Sequence, residues 1–150
     1  MSRSRETRIC LKMVTRYCAA VLLASACDAS WYGPRQSVDL SSLSDSTVAD
    51  ICGRICPAEH IKSISEPSQL ATIVRFAQGE ATDWRESANG PSGGVINIVF
   101  SHDGKVLGTV GLTRADSRSV LLSIGTLSKT VPRDKVDPLL DKIGVALGSP

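Results

Sequence analysis

Between residues 95 and 131 the chain is a succession of short apolar runs separated by turns. VINIVFS (95–101), VLGTVGLT (106–113), SVLLSIG (119–125) and LSKTV (127–131) are separated by gaps of four, five and one residues. Parallel neighbours need a crossover of about a dozen residues or more, so gaps this short join only antiparallel neighbours. The turn His102-Asp103-Gly104-Lys105 strengthens the reading, because Asp-Gly tolerates the positive φ of a tight hairpin. In the third run Val120, Leu122 and Ile124 alternate onto one face. The first run is apolar on both faces. Gly108 and Gly111 in the second mark a bulge or a close approach of another backbone.

Two helical patterns flank these runs. Glu66-Pro67-Ser68 opens the first. Ser65 suits the N-cap, Pro67 fits the first turn and Glu66 complements the helix dipole. Leu70, Ile73, Val74 and Ala77 fall at helical spacing, and Gly79 marks the end. The second helix is expected over 134–147. Asp134 serves as its cap, Pro138 falls near its first turn, and Val136, Leu140, Ile143 and Leu147 form its buried stripe. A short strand at 61–64 precedes the first helix, and 80–94 reads as a loop with Asn89, Gly90, Pro91, Gly93 and Gly94 as breakers. The expected order is β-α-β-β-β-(β)-α. The fold class is α+β, an antiparallel sheet of about four strands with two helices on one face.

The start of the chain is an address rather than a fold. Arg3, Arg5, Arg8, Lys12 and Arg16 precede the apolar run YCAAVLLASA (17–26). Ten apolar residues are too few to span a bilayer and match the h-region of a signal peptide, here 1–26. Met13 offers an alternative start. LLASAC resembles a bacterial lipobox, which implies acylation of Cys27 and a lipid anchor in a membrane of the cell envelope, facing the periplasm or the cell surface. Asp28 resembles an inner-membrane retention signal. The alternative is ordinary cleavage after Ala24-Ser25-Ala26, giving a soluble secreted protein. Of 17 basic and 15 acidic residues, five and one lie in 1–26, which leaves 12 and 14 in the remainder, a net charge of −2. That balance argues against nucleic acid as a partner.

Residues 28–47 hold six serines with Gly33 and Pro34 and show no sustained period, so they read as a flexible spacer. Trp31 and Tyr32 suit a membrane interface or packing on the domain. The expected division is signal peptide at 1–26, lipidated Cys27 with a tether to 50, and the α+β domain at 51–150. Once the leader and Cys27 are set aside, Cys52 and Cys56 are the remaining cysteines. In an oxidising compartment a disulfide between them is the default reading. At i,i+4 on a helix the pair sits near the limit for bridging, so a helix there is expected to be distorted or ended by Gly53 and Pro57.

The stretches IKSISEPSQLATIVRFAQGEATDW, INIVFSHDGKVLGTVGL and LSKTVPRDKVDPLLDKIGV resemble a loose group of small, uncharacterised bacterial lipoproteins. The resemblance implies an envelope location and transfers no activity.

No G-x-S-x-G, S-x-x-K or H-E-x-x-H is present, and no catalytic residues are assigned. Trp84 and Arg85, between a helix and the strand-like runs, are a candidate protein-binding pair; the alternative places Trp84 in the core. Cys52, Cys56 and His60 recur every four residues, and C-x-x-x-C-P is similar to the copper-site motif of the Sco copper chaperones. On that alternative Cys52, Cys56, His60 and the remote His102 would hold copper. The chain departs from those proteins in length and strand order. Asp134, Asp137 and Asp141 alternate with Arg133, Lys135 and Lys142 as a solvated mixed-charge face. The expectation is a non-catalytic domain that binds an unknown envelope protein in an accessory, inhibitor or immunity-type role, and needs no cofactor. The alternative is a copper- or thiol-handling protein that uses Cys52 and Cys56.

Overall fold

In the computed structural model residues 33–87 and 94–147 are described. The chain divides into units 1–34 and 35–150, and the architecture below is that of the second. The expected signal peptide, Cys27, Trp31, Tyr32 and the breakers 89–91 and Gly93 lie outside the described residues. Among the described residues no helix is long and apolar enough to cross a membrane.

The fold is α+β, with two α-helices and seven strands among the described residues. After a short 3-10 turn (Ser41–Asp45) come β1 (Val48–Cys52), β2 (His60–Ile64), α1 (Pro67–Gly79) and β3 (Arg85–Glu86). The meander β4 (Ile96–His102), β5 (Lys105–Arg114), β6 (Ser119–Ile124) and β7 (Leu127–Pro132) follows, and α2 (Arg133–Ile143) closes the domain. The strands form one antiparallel sheet in the order β2-β1-β4-β5-β6-β7-β3. The meander and both helices match the sequence reading. At the β4–β5 turn Asp103 and Gly104 both have positive φ, as a two-residue hairpin requires.

Several expectations need correction. The sheet has seven strands, not about four. Two of the additional strands are β1, which inserts beside β4 in the middle of the sheet, and the two-residue β3, which edges it. The tether ends sooner than expected. Gln36 pairs with Trp84, Leu40 and Leu43 are buried, and 48–52 is a strand with Ala49 and Ile51 in the core. Serine content suggested a spacer, but non-local pairing decided the conformation. Pro138 lies inside α2 rather than in its first turn, and the N-cap is Pro132 without a side-chain cap bond.

Both helices lie on one face of the sheet. Ala49, Ile51, Ile98, Phe100, Leu112 and Leu122 alternate onto that face and pack against Leu70 and Ile73 of α1 and Val136 and Ile143 of α2. Leu43, 1% exposed, closes the core beneath the 3-10 turn. α1 is capped by Glu66 rather than Ser65. Its carboxylate accepts from the N–H groups of Ser68 and Gln69 and from the Ser68 hydroxyl. The Ser68 hydroxyl bond, then the backbone bonds, hold this carboxylate below its ordinary pKa. α2 ends in a Schellman arrangement. Gly144 is left-handed, its N–H reaches Asp141 O, and Val145 N–H reaches Leu140 O. Lys62 of β2 donates to the Ile143 carbonyl at 3.1 Å, so α2 ends over that edge strand.

Candidate functional site

The elements that gather the most expected site residues are β1, β2 and the connection between them. Cys52 is the last residue of β1, not a helical position, and Cys56 lies in the turn that leads to β2. The two form a disulfide with their Cα atoms 5.3 Å apart. β1 is held as a strand by its neighbours β2 and β4, so no helix forms at the cysteine pair. The signal of β1 was short: Ala49 and Ile51 inward, with Asp50 between them.

The connecting loop is tied from within. Gly53 N–H donates to Glu59 O at 2.8 Å, and Arg54 N–H donates to the Glu59 carboxylate at 2.7 Å. Glu59 N–H donates to Ile55 O at 2.8 Å, and His60 N–H to Pro57 O at 3.1 Å. Asn97 of β4 is directly opposite Cys52 in the sheet. It is only 8% exposed, and its amide nitrogen donates to Gly53 O at 2.7 Å and to Gly94 O at 3.2 Å. Its carbonyl accepts from Gly94 N–H. Asn97 therefore fastens the loop to the centre of the sheet. A buried amide with its bonds made is worth keeping, because an unpaired one costs about 1–3 kcal/mol.

Two side chains of this loop take no part in holding it. Arg54 is exposed and makes no side-chain hydrogen bond or ion pair among the described residues. Ile55 is 63% exposed, the most exposed of the large apolar side chains described.

Beside the loop, a bulge between Ile51 and Cys52 shifts the pairing so that Cys52 faces His60. On a regular strand, residues three apart point to opposite faces. The bulge instead brings the His60 ring to Ser63, with Nε2 2.9 Å from Oγ. Ser63 Oγ donates to Asp50 Oδ1 at 2.5 Å, and His60 Nε2 lies 3.7 Å from the same oxygen. The hydroxyl proton is committed to the carboxylate, which leaves Oγ to accept from Nε2–H. The three are a cross-strand clasp, unlike an activated serine, whose proton goes to the imidazole.

The other candidates lie elsewhere. His102 sits at the opposite end of β4 from Asn97, about 17 Å away at ~3.4 Å per residue. It neighbours Asp103 and does not join Cys52, Cys56 and His60. Among the described residues no group of three or more His, Cys, Asp or Glu side chains could hold a metal ion. Trp84 is 1% exposed and belongs to the core, so it presents no face to a partner. Its Nε1–H donates to Glu80 O at 2.7 Å. Glu80 in turn pairs with Lys129 at 2.7 Å and Lys135 at 3.5 Å. Arg85 is half-buried on β3. The signal for Trp84 was the low aromatic content of 4%, since so few large rings are available to a core.

No known family model, curated protein or solved structure matches the chain. Function is therefore read from the residues themselves.

Proposed function

We propose that the chain is an envelope lipoprotein, anchored through Cys27, whose compact domain is a non-catalytic binder of another envelope protein in an accessory, inhibitor or immunity-type role. The leader composition and the lipobox-like LLASAC support the anchor. The observation that carries the binding role is the loop at 53–59. It is closed by a disulfide, hydrogen-bonded along its backbone and clamped by Asn97, yet it turns Arg54 and Ile55 to solvent. A pre-organised loop loses little entropy on association, and arginine beside an apolar side chain is a productive contact pair.

The test has two arms. Intact mass of the membrane-extracted protein reads acylation at Cys27, and an unmodified Cys27 removes the anchor. A photo-crosslinking residue in place of Ile61, beside the loop, is then used in cells. The reading expects one adduct that disappears in Arg54→Ala with Ile55→Ala. Adducts unchanged by that double substitution reject the loop as the contact.

A second reading, copper or thiol handling, is favoured by one feature. Cys52 sits directly across from His60 on the neighbouring strand. Cys52→Ser with Cys56→Ser removes any such activity, whereas a protein whose cellular role survives both changes is not a thiol protein.

A further inference from the structure

The 3-10 turn and α1 run side by side on the helical layer. Gln78 ties them, donating from Nε2 to Leu40 O at 3.1 Å and to Ser44 Oγ at 2.9 Å. Between them lies a groove of about 360 Å³. Leu70, Ala71 and Val74 supply apolar lining, and Ser44, Arg75 and Gln78 supply polar groups. Nothing in the binding role proposed above uses this groove.

Its unused hydrogen-bonding capacity is lopsided. The Arg75 guanidinium is exposed and has no hydrogen-bond or ion-pair partner among the described residues, so five N–H donors stand free at the groove. Ser44 Oγ accepts from Gln78 and keeps its own O–H to give. Against these donors Gln78 retains one amide oxygen. Ser46, also at the groove, already donates its hydroxyl to Leu43 O. The nearby Glu66 carboxylate is committed to the α1 N-terminus, and Asp45 of the turn does not line the groove. An apolar lining with cationic donors at its mouth fits a ligand with a hydrocarbon body and an anionic head. A volume of about 360 Å³ accommodates one short chain.

We propose that this groove binds a free medium-chain carboxylate, with the chain along Leu70, Ala71 and Val74 and the carboxylate on Arg75 and Ser44. The interaction is independent of the Arg54–Ile55 loop.

The experiment uses the purified full chain, isotopically labelled for amide NMR and titrated with octanoate below its micelle concentration. Octanamide, the uncharged analogue, and octylamine, the cationic one, are run in parallel. The expected result is saturable shifts confined to residues 44–46 and 67–78. Octanamide should bind about tenfold more weakly, matching the loss of a charge-assisted bond, and octylamine should not bind. Arg75→Gln should weaken octanoate by a similar factor while leaving the unligated spectrum folded. Ala71→Glu, at an exposed helical position, places a carboxylate in the groove and should abolish the shifts by repulsion. The proposal is overturned by an absence of saturable shifts, by equal binding of octanoate and octanamide, or by wild-type affinity in both variants. It is also overturned if the shifts centre on residues 53–59.

Discussion

The two faces of the sheet are built from alternate residues of the same strands, yet they do different work. On one face Ala49, Ile51, Ile98, Phe100 and Leu122 are buried beneath two helices. On the other, Asp50, Ser63, Asn97, Gly111 and Ser123 are small or polar, and no helix among the described residues covers them. The first face is held by area removed from water, which is non-directional and tolerant of exchange between similar side chains. The second is held by individual contacts at fixed places. Asn97 ties two backbones, Ser63 bridges Asp50 and His60, and Gly94 and Gly111 pack so closely that a side chain at Gly94 would meet the Gly111 Cα and one at Gly111 would collide with Ser123 Oγ and Gly94 N. The comparison teaches that the helical face specifies the domain, while the other face specifies where the 53–59 loop points.

Substitutions on the two faces should break this comparison in different ways. The largest loss is expected for Phe100→Ala, fully buried on the helical face, at about 3–5 kcal/mol in urea unfolding. A loss of under 1 kcal/mol would mean that this core is not close-packed. Asn97→Ala, on the opposite face, should cost about 1–3 kcal/mol, because Gly53 O and Gly94 lose their buried partner. It should also raise hydrogen exchange at Arg54 and Ile55, which Phe100→Ala should not do selectively.

Removing the disulfide with Cys52→Ser and Cys56→Ser should cost about 2 kcal/mol, the loop-entropy value for so short a closure. A loss beyond the Phe100→Ala value would make the hairpin, not the helical layer, the seat of stability.

A smaller effect belongs to acid pH and to the helical side. Bonds from Ser68 and Gln69 lower the Glu66 pKa, those from Ser41 lower the Asp39 pKa, and the Ser119 hydroxyl followed by the Arg118 N–H lowers the Asp116 pKa. A carboxylate whose pKa is depressed by folding contributes stability above its unfolded pKa. That contribution is lost as pH falls through the folded value. Glu66→Gln should therefore lower stability at neutral pH and converge with the wild type in acid, which flattens the acid limb of a stability–pH profile. Carboxyl NMR titration of Glu66 at or above its ordinary value would contradict the cap geometry.

Least of all, Arg54→Ala with Ile55→Ala should change stability by no more than about 0.5 kcal/mol, since neither side chain holds anything in place. A large loss in thermal unfolding would make them structural and end their candidacy as contact residues.

The sequence was informative wherever structure is local. Alternation and short turns revealed the β4–β7 meander. The helical stripes and Gly79 revealed α1 and most of α2. The Asp103-Gly104 pair marked its turn because only the conformation of those two residues is at stake. The pairing of Cys52 with Cys56 followed from counting the cysteines beyond residue 27. The exposed pair at the loop tip was less visible. Arg54 and Ile55 stand in plain sequence, but nothing in their spacing reveals that the backbone around them is tied and their side chains are not. Arg75 likewise reads as an ordinary solvated helical charge until its neighbours are placed.

Sequence by itself determined the fold class, the order of the meander and the two helices that cover it, because periodicity and turn chemistry are properties of neighbouring residues. Tertiary structure alone decided that 48–52 is an inner strand, since a five-residue run gains its stability from β2 and β4 rather than from itself. It also decided that Trp84 is core, because burial depends on what else reaches that place. The bulge that swings His60 onto Ser63 is a third such decision, for register is settled between strands and never within one.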